Sequence, residues 1–156
     1  MNDPNGLIWL NGEYHLFSQR WNKCWIHAVS KDLVHWKELQ PAFWEDRRFG
    51  GGVQSGGAVY DAHNSSGLGT PEHPPLVAFW SGNDNNSQCI SFSIDKGRTW
   101  QKYAGNPVLL YPARSQGVLV RATKLLAYGS LLQLQLHNAS LDRFASLVST
   151  ANQYSR

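Results

Sequence analysis

The sequence predicts an all-β fold made of two consecutive four-stranded units, arranged as blades of a β-propeller, followed by a tail to which no fold is assigned. Three observations carry this. Eight short strand-like runs fall into two sets of four. Each set ends on a similar turn, Ser30-Lys31-Asp32-Leu33-Val34-His35-Trp36 in the first and Ser93-Ile94-Asp95-Lys96-Gly97-Arg98-Thr99-Trp100 in the second. Beyond Leu110 the period-two alternation disappears except at Leu132 to Leu136. Repeated four-stranded units are the pattern of propeller blades. The same runs would also suit a β-sandwich with two chance hairpins.

Gly6 to Leu10 and Glu13 to Ser18 read as the first two strands, because Asn11-Gly12 between them is a two-residue hairpin signal. Cys24 to Ser30 reads as the third and Trp36 to Leu39 as a short fourth. Gly50-Gly51-Gly52 marks a bend. Gly56 to Tyr60, Leu76 to Ser81, Cys89 to Ile94 and Thr99 to Tyr103 form the second set. In each repeated turn the aspartate can accept hydrogen bonds from the turn backbone, with the tryptophan packed beneath it. Core packing is the expected role of Trp25, His27, Trp36 and Trp100.

Composition narrows the function classes. The chain has 156 residues, 42% hydrophobic and 16% charged, enough apolar content for one ordinary domain and too little charge for a disordered chain. A net charge of +3 without a basic run gives no nucleic-acid footprint, and no apolar run reaches the length of a membrane-spanning helix. The seven tryptophans suit cores and sugar-binding surfaces alike. Cys24 and Cys89 read as free core thiols. Asn64-Ser65-Ser66 and Asn85-Asn86-Ser87 match the N-glycosylation pattern, which arises often by chance. His15, His27 and His35 have no metal-ligand spacing, and no metal or other cofactor is expected.

The most informative stretch is the first. In Asn2-Asp3-Pro4-Asn5-Gly6 one carboxylate stands between two amides. Pro4 biases Asp3 toward an extended conformation, and Gly6 permits a sharp turn. Taken alone, this is a surface turn. With the residues that follow, it resembles the signature of glycoside hydrolase family 32, the invertases, inulinases, levanases and related β-fructosidases. Tyr14-His15-Leu16-Phe17-Ser18-Gln19, the run from Trp25 to Trp36, Gln54-Ser55-Gly56-Gly57-Ala58, Arg98-Thr99-Trp100 and the run from Tyr103 to Leu109 resemble further family motifs in family order. Ser18, Arg20-Trp21-Asn22, Ile26 and Gln54 depart from the family pattern.

The resemblance implies the first two blades of a five-bladed propeller over residues 1–110. It also implies a glycosidase that acts on sucrose or fructans with retention through a covalent fructosyl-enzyme. Asp3 would be the nucleophile. Asn2, Asn5, Gln19 and Ser55 would hydrogen-bond the fructose, and Trp21 would be the subsite tryptophan. On that basis, replacing Gln19 should affect turnover and leave melting nearly unchanged. Glu13, Glu38, Glu45 and Glu72 lie in none of the family's acid contexts, so the chain by itself is expected to be inactive. An inert carbohydrate-binding propeller and a non-functional truncated product are the alternatives. The parent protein is expected to be extracellular or periplasmic, with a cytoplasmic location as the alternative.

The family's Arg-Asp-Pro-Lys-Val-Phe-Trp motif does not occur where it should. Arg114 to Ala122, however, can be encoded by CGA TCC CAA GGT GTT CTG GTA CGA GCC. Read one nucleotide later and continued into the codon for Thr123, this spells Asp-Pro-Lys-Val-Phe-Trp-Tyr-Glu-Pro. Residues 111–156 are therefore expected to be an out-of-frame translation from about Ala113 onward. The alternative is a divergent but genuine C-terminal segment.

Overall fold

The computed structural model describes residues 2–49, 51–82 and 87–109. The tail, with its expected change of frame, and the Asn85-Asn86 part of the second glycosylation pattern lie outside the described residues.

Two antiparallel sheets follow one another as blades. In the first, β1 (Pro4–Leu10), β2 (Glu13–Arg20), β3 (Cys24–Ser30) and β4 (Trp36–Glu38) are neighbours in sequence order, and β5 (Phe43–Trp44) also pairs with β3. The second runs β6 (Val53–Tyr60), β7 (Leu76–Gly82), β8 (Gln88–Ser93) and β9 (Gln101–Lys102). A short 3-10 turn at Arg47–Phe49 lies between the sheets in the chain. Asn11-Gly12 turns β1 into β2 with both residues at positive φ, as the two-residue hairpin requires.

The outer strand of the first blade is broken, which the sequence reading did not anticipate. β4 pairs with Ala28 to Ser30 and β5 with Cys24 and Trp25, so two short pieces share one edge. The second blade repeats this. β9 pairs with Ser91 and Phe92, and after an interruption Leu109 bridges to Gln88. In that gap the Asn106 side chain stands in for a strand residue. Its Oδ1 accepts from Ile90 N–H at 2.8 Å and its Nδ2 donates to Ile90 C=O at 2.7 Å.

The repeated turns have matching geometry. Asp32 Oδ1 accepts from the backbone N–H of Val34 and His35 at 2.9 and 2.8 Å, and Asp95 Oδ1 from Arg98 and Thr99 at 3.0 and 2.8 Å. Each tryptophan indole donates to the carbonyl three residues earlier, Trp36 to Leu33 at 3.0 Å and Trp100 to Gly97 at 3.1 Å. Their packing differs. Trp100 meets Phe17 edge-on at 5.3 Å, whereas Trp36 is 37% exposed and is not the core residue expected. The outermost strand of a blade has no further strand to cover it.

The core lies between the blades. Phe17, Trp25 and Phe43 of the first sheet meet Val53, Ala58 and Trp80 of the second, with Phe43 stacked on Trp80 at 5.7 Å. A buried aromatic side chain removes about 150–250 Å² from water, worth about 4–6 kcal/mol before its ordering cost. Cys24 and Cys89 are free and buried. Asn64 brackets its own loop, accepting from Gly69 N–H at 2.8 Å and donating to Gly69 C=O at 2.9 Å.

The two inner strands approach with little between them. A β-carbon on Gly6 would lie 3.2 Å from Ala58 N and 3.3 Å from Ala58 Cβ. One on Gly56 would fall 1.8 Å from Phe79 C=O. Gly56→Ala should therefore destabilise by about 3 kcal/mol or more, at the upper end for overpacking, and lower Tm by roughly 12 °C or more. Gly12→Ala has nothing within 4 Å and should cost only the left-handed backbone term, about 1–2 kcal/mol. Chemical denaturation of both variants checks the contrast.

Candidate active site

The site assembles where three chain segments meet at one end of the blades: the start of β1, the β2–β3 hairpin and the start of β6. Backbone bonds fix the first. Asn2 N–H donates to Gln19 C=O at 2.8 Å, and Gln19 N–H donates to Asp3 C=O at 3.2 Å. Buried Ser18, which departs from the family pattern, points its hydroxyl at the carbonyls of Asn2 and Asp3 at 3.1 and 3.2 Å. The chain on either side of Asp3 is thus anchored while its carboxylate remains exposed.

Both inner strands are irregular at the same place. The β1–β2 register shifts between Pro4 and Gly6, and the β6–β7 register between Val53 and Gly56. Such bulges re-aim side chains, and these two carry Asn5 in one blade and Gln54 and Ser55 in the other. Across the gap Ser55 Oγ donates to Asp3 Oδ2 at 2.8 Å.

Asn5 and Gln19 are 2% and 3% exposed, and both side chains are engaged in the fold. One orientation of the Asn5 amide accepts a single long bond of 3.4 Å from Gly56 N–H. The other accepts from Gln19 N–H and from the Trp25 indole, each at 3.1 Å. We take the second, since two shorter bonds satisfy a buried amide better than one long one. The Trp25 indole also donates to Gln54 C=O at 3.0 Å. Gln19 Nε2 is shared among Asn22 Oδ1 at 2.7 Å, Val53 C=O at 3.1 Å and Gln54 Oε1 at 3.2 Å. Gln19 therefore ties the hairpin of one blade to the first strand of the next, and its replacement cannot be structurally neutral.

Trp21 occupies the tip of the hairpin. Lys23 N–H closes that turn onto Arg20 C=O at 3.0 Å, with Trp21 and Asn22 both at φ 56°. The indole is 68% exposed, with the Arg20 guanidinium 5.5 Å from its ring centre. Asn22 C=O accepts from Val53 N–H at 2.8 Å, a second tie between hairpin and β6.

Sequence reasoning had passed over Ser18, Asn22, Val53 and Gln54 as site builders. The signal for three of them was present in the departures from the family pattern. Among the glutamates, Glu13 pairs with Arg98, Glu38 with Arg20 at 3.0 Å and Glu45 with Lys23 at 3.6 Å. Glu72 lies in the β6–β7 connection, at the opposite end of the blade from Asp3. Among the described residues, no group of three or more His, Cys, Asp or Glu is placed to hold a metal ion.

Residues 1–123 match the Glycosyl hydrolases family 32 N-terminal domain. The chain belongs to glycoside hydrolase family 32. The levanase of Bacillus subtilis strain 168 is 47% identical over 123 residues, which cover 73% of this chain and 18% of that enzyme. The extracellular exo-inulinase of Aspergillus awamori is 42% identical over 139 residues, 72% of this chain and 26% of the relative. The crystal structure of that exo-inulinase superposes with a TM-score of 0.63 at 39% identity, covering 76% of this chain and 28% of the solved one. Fructofuranosidase from Schwanniomyces occidentalis, solved with fructose, gives 0.60 at 37%, covering 70% and 24%. The two sheets are thus blades of a family 32 β-propeller, and the chain spans about a fifth to a quarter of the length of these relatives.

Gln19→Ala removes the donor for three acceptors at a buried junction. It should lower stability by about 1–3 kcal/mol, the cost of leaving such groups unpaired. Urea unfolding of the variant beside Gln54→Ala measures it.

Proposed function

We propose that this chain is the N-terminal part of a retaining β-fructosidase, with Asp3 as its nucleophile. The observation that carries the reading is the exposed Asp3 carboxylate at the bulged start of the innermost strand, gripped through one oxygen by Ser55 of the neighbouring blade. Holding Oδ2 orients Oδ1 for in-line attack on an anomeric carbon and restricts the rotamers that a free aspartate would sample. The attack forms an ester to the fructosyl unit while a general acid protonates the leaving oxygen. Water then cleaves that ester, with the acid acting as base.

The substrate class rests on the relatives. They are named levanase, exo-inulinase and invertase, and one solved fructan 1-exohydrolase holds 1-kestose. We therefore assign terminal fructosyl units of sucrose or fructans as substrate. In this reading the exposed Asn2 and Trp21 meet the sugar, while the buried Asn5 and Gln19 support the segment that carries Asp3. Four of the relatives are named extracellular exo-inulinases, which supports an exported parent. The acid is the missing part: the placement of the four glutamates favours its supply from further blades. The same placement is what an inert sugar-binding propeller would show.

Residues 1–156 alone should release no fructose from levan, inulin or sucrose, since loss of the acid alone costs about 10²–10⁴ in rate. A protein carrying these residues at the full length of the relatives should do so with retention. Asp3→Asn in that protein should lower kcat by roughly 10⁴ or more, because the covalent intermediate can no longer form. Fructose release measured on both proteins decides between an enzyme and an inert binding module, and an Asp3→Asn protein with unchanged turnover overturns the assignment.

A further inference from the structure

Beneath the turn that closes the second blade lies a pair of histidines with no part in the chemistry above. His15 on β2 and His27 on β3 are 0% and 1% exposed, and His15 Nδ1 lies 3.0 Å from His27 Nε2. His27 stacks on Phe17 at 4.4 Å, and Trp100 of the second blade meets it edge-on at 6.5 Å. Gly97, at φ +81°, sits directly on the pair. A β-carbon there would lie 3.1 Å from His27 Cε1 and 3.3 Å from His15 Nδ1.

Of the outer ring nitrogens, His15 Nε2 has no hydrogen-bond partner, and His27 Nδ1 has no well-formed one, the Gly97 backbone offering His27 only a weak contact. Glu13 Oε1 stands 3.4 Å from His15 Nε2, close enough for attraction between charges but outside hydrogen-bonding geometry. Glu13 is itself paired with Arg98, which follows Gly97 in the second-blade turn. The charged and titratable groups that bear on the pair are therefore Glu13 from the β1–β2 side and Arg98 from the other blade.

We propose that His15 and His27 form an acid-operated joint between the two blades, closed when the pair is neutral and opened when both rings are protonated. A neutral pair shares one N–H between the facing nitrogens. One added proton can be kept on His15 toward Glu13, leaving His27 Nε2 as acceptor. A second proton puts N–H on both facing nitrogens, and the 3.0 Å contact becomes donor against donor, buried under the Gly97 backbone. Both rings belong to the first blade, so the two charges are relieved by reaching water, which requires the covering turn with Gly97 and Arg98 to lift from that blade.

Burial works against the protons. It drives His27 down to about 3, helped by the His15 and Arg98 charges and opposed by the Gly97 backbone. Burial lowers His15 too, against the pull of Glu13. Both folded values lie below the ordinary 6.5, so the joint's stability is complete above about pH 6.5 and is lost as pH falls from there toward the folded values. Carboxylates act lower, because unfolded Asp and Glu titrate near about 4.

The test follows unfolding of residues 1–156 by tryptophan fluorescence from about pH 7.5 to about pH 5. The unfolded-to-folded ratio should rise roughly tenfold per pH unit for each proton taken up, up to about a hundredfold for two. The His15→Leu, His27→Phe double variant lacks both rings and should lose the pair's share of that slope, keeping only what the other four histidines contribute. An unchanged slope in the double variant overturns the proposal. Where the double variant does not fold, imidazole NMR of the native chain decides alone. The His27 ring should remain neutral near pH 5.5 for as long as the fold persists, and a His27 ring that titrates near 6.5 with the interblade aromatic contacts intact would refute the joint.

Discussion

The structure depends on how closely the two inner strands approach. β1 and β6 lie against one another because Gly6 presents no side chain to Ala58, and β6 fits against β7 because Gly56 presents none to Phe79. Every functional feature at that end follows. The approach brings Ser55 Oγ within 2.8 Å of Asp3 and lets Gln19 reach Val53 and Gln54. A carboxylate on one blade is thereby aimed by residues of the next, so neither blade alone holds the site.

The junction is polar as well as aromatic, and its polar groups demand partners. Asn5, Gln19, His15 and His27 are all buried, with Trp25 against Asn5 and with Phe17 and Trp100 against His27. An unpaired amide there costs about 1–3 kcal/mol. The fold answers with bonds that cross between blades at the site end. Elsewhere at the junction, the histidine pair of the first blade lies buried under the Gly97 turn of the second.

What the sequence made legible was local. The hairpin at Asn11-Gly12 and the Asp-to-backbone turns depend on residues within a few positions of one another, and each appears where it was read. Interrupted outer strands were not legible, because short edge pieces carry little pattern. The bulges were not legible either, since a register shift depends on the partner strand. Gln19 shows the difference most sharply. Its place in a family motif marks it for the sugar, while contacts to residues more than thirty positions away make it a clamp between blades. Trp36 and Trp100 close equivalent turns, yet only the one facing the other blade is drawn into the core.

The assembly of the site across the two blades is tested most directly by a double-mutant cycle on Gln19 and Gln54 in residues 1–156. The two side chains meet at 3.2 Å from opposite blades. A bond across the junction predicts that the double Ala variant is less destabilised than the sum of the singles, with a coupling of about 0.5–3 kcal/mol. Additivity within about 0.3–0.5 kcal/mol would mean that the blades do not meet there as described, and that the second blade does not hold Asp3 in place.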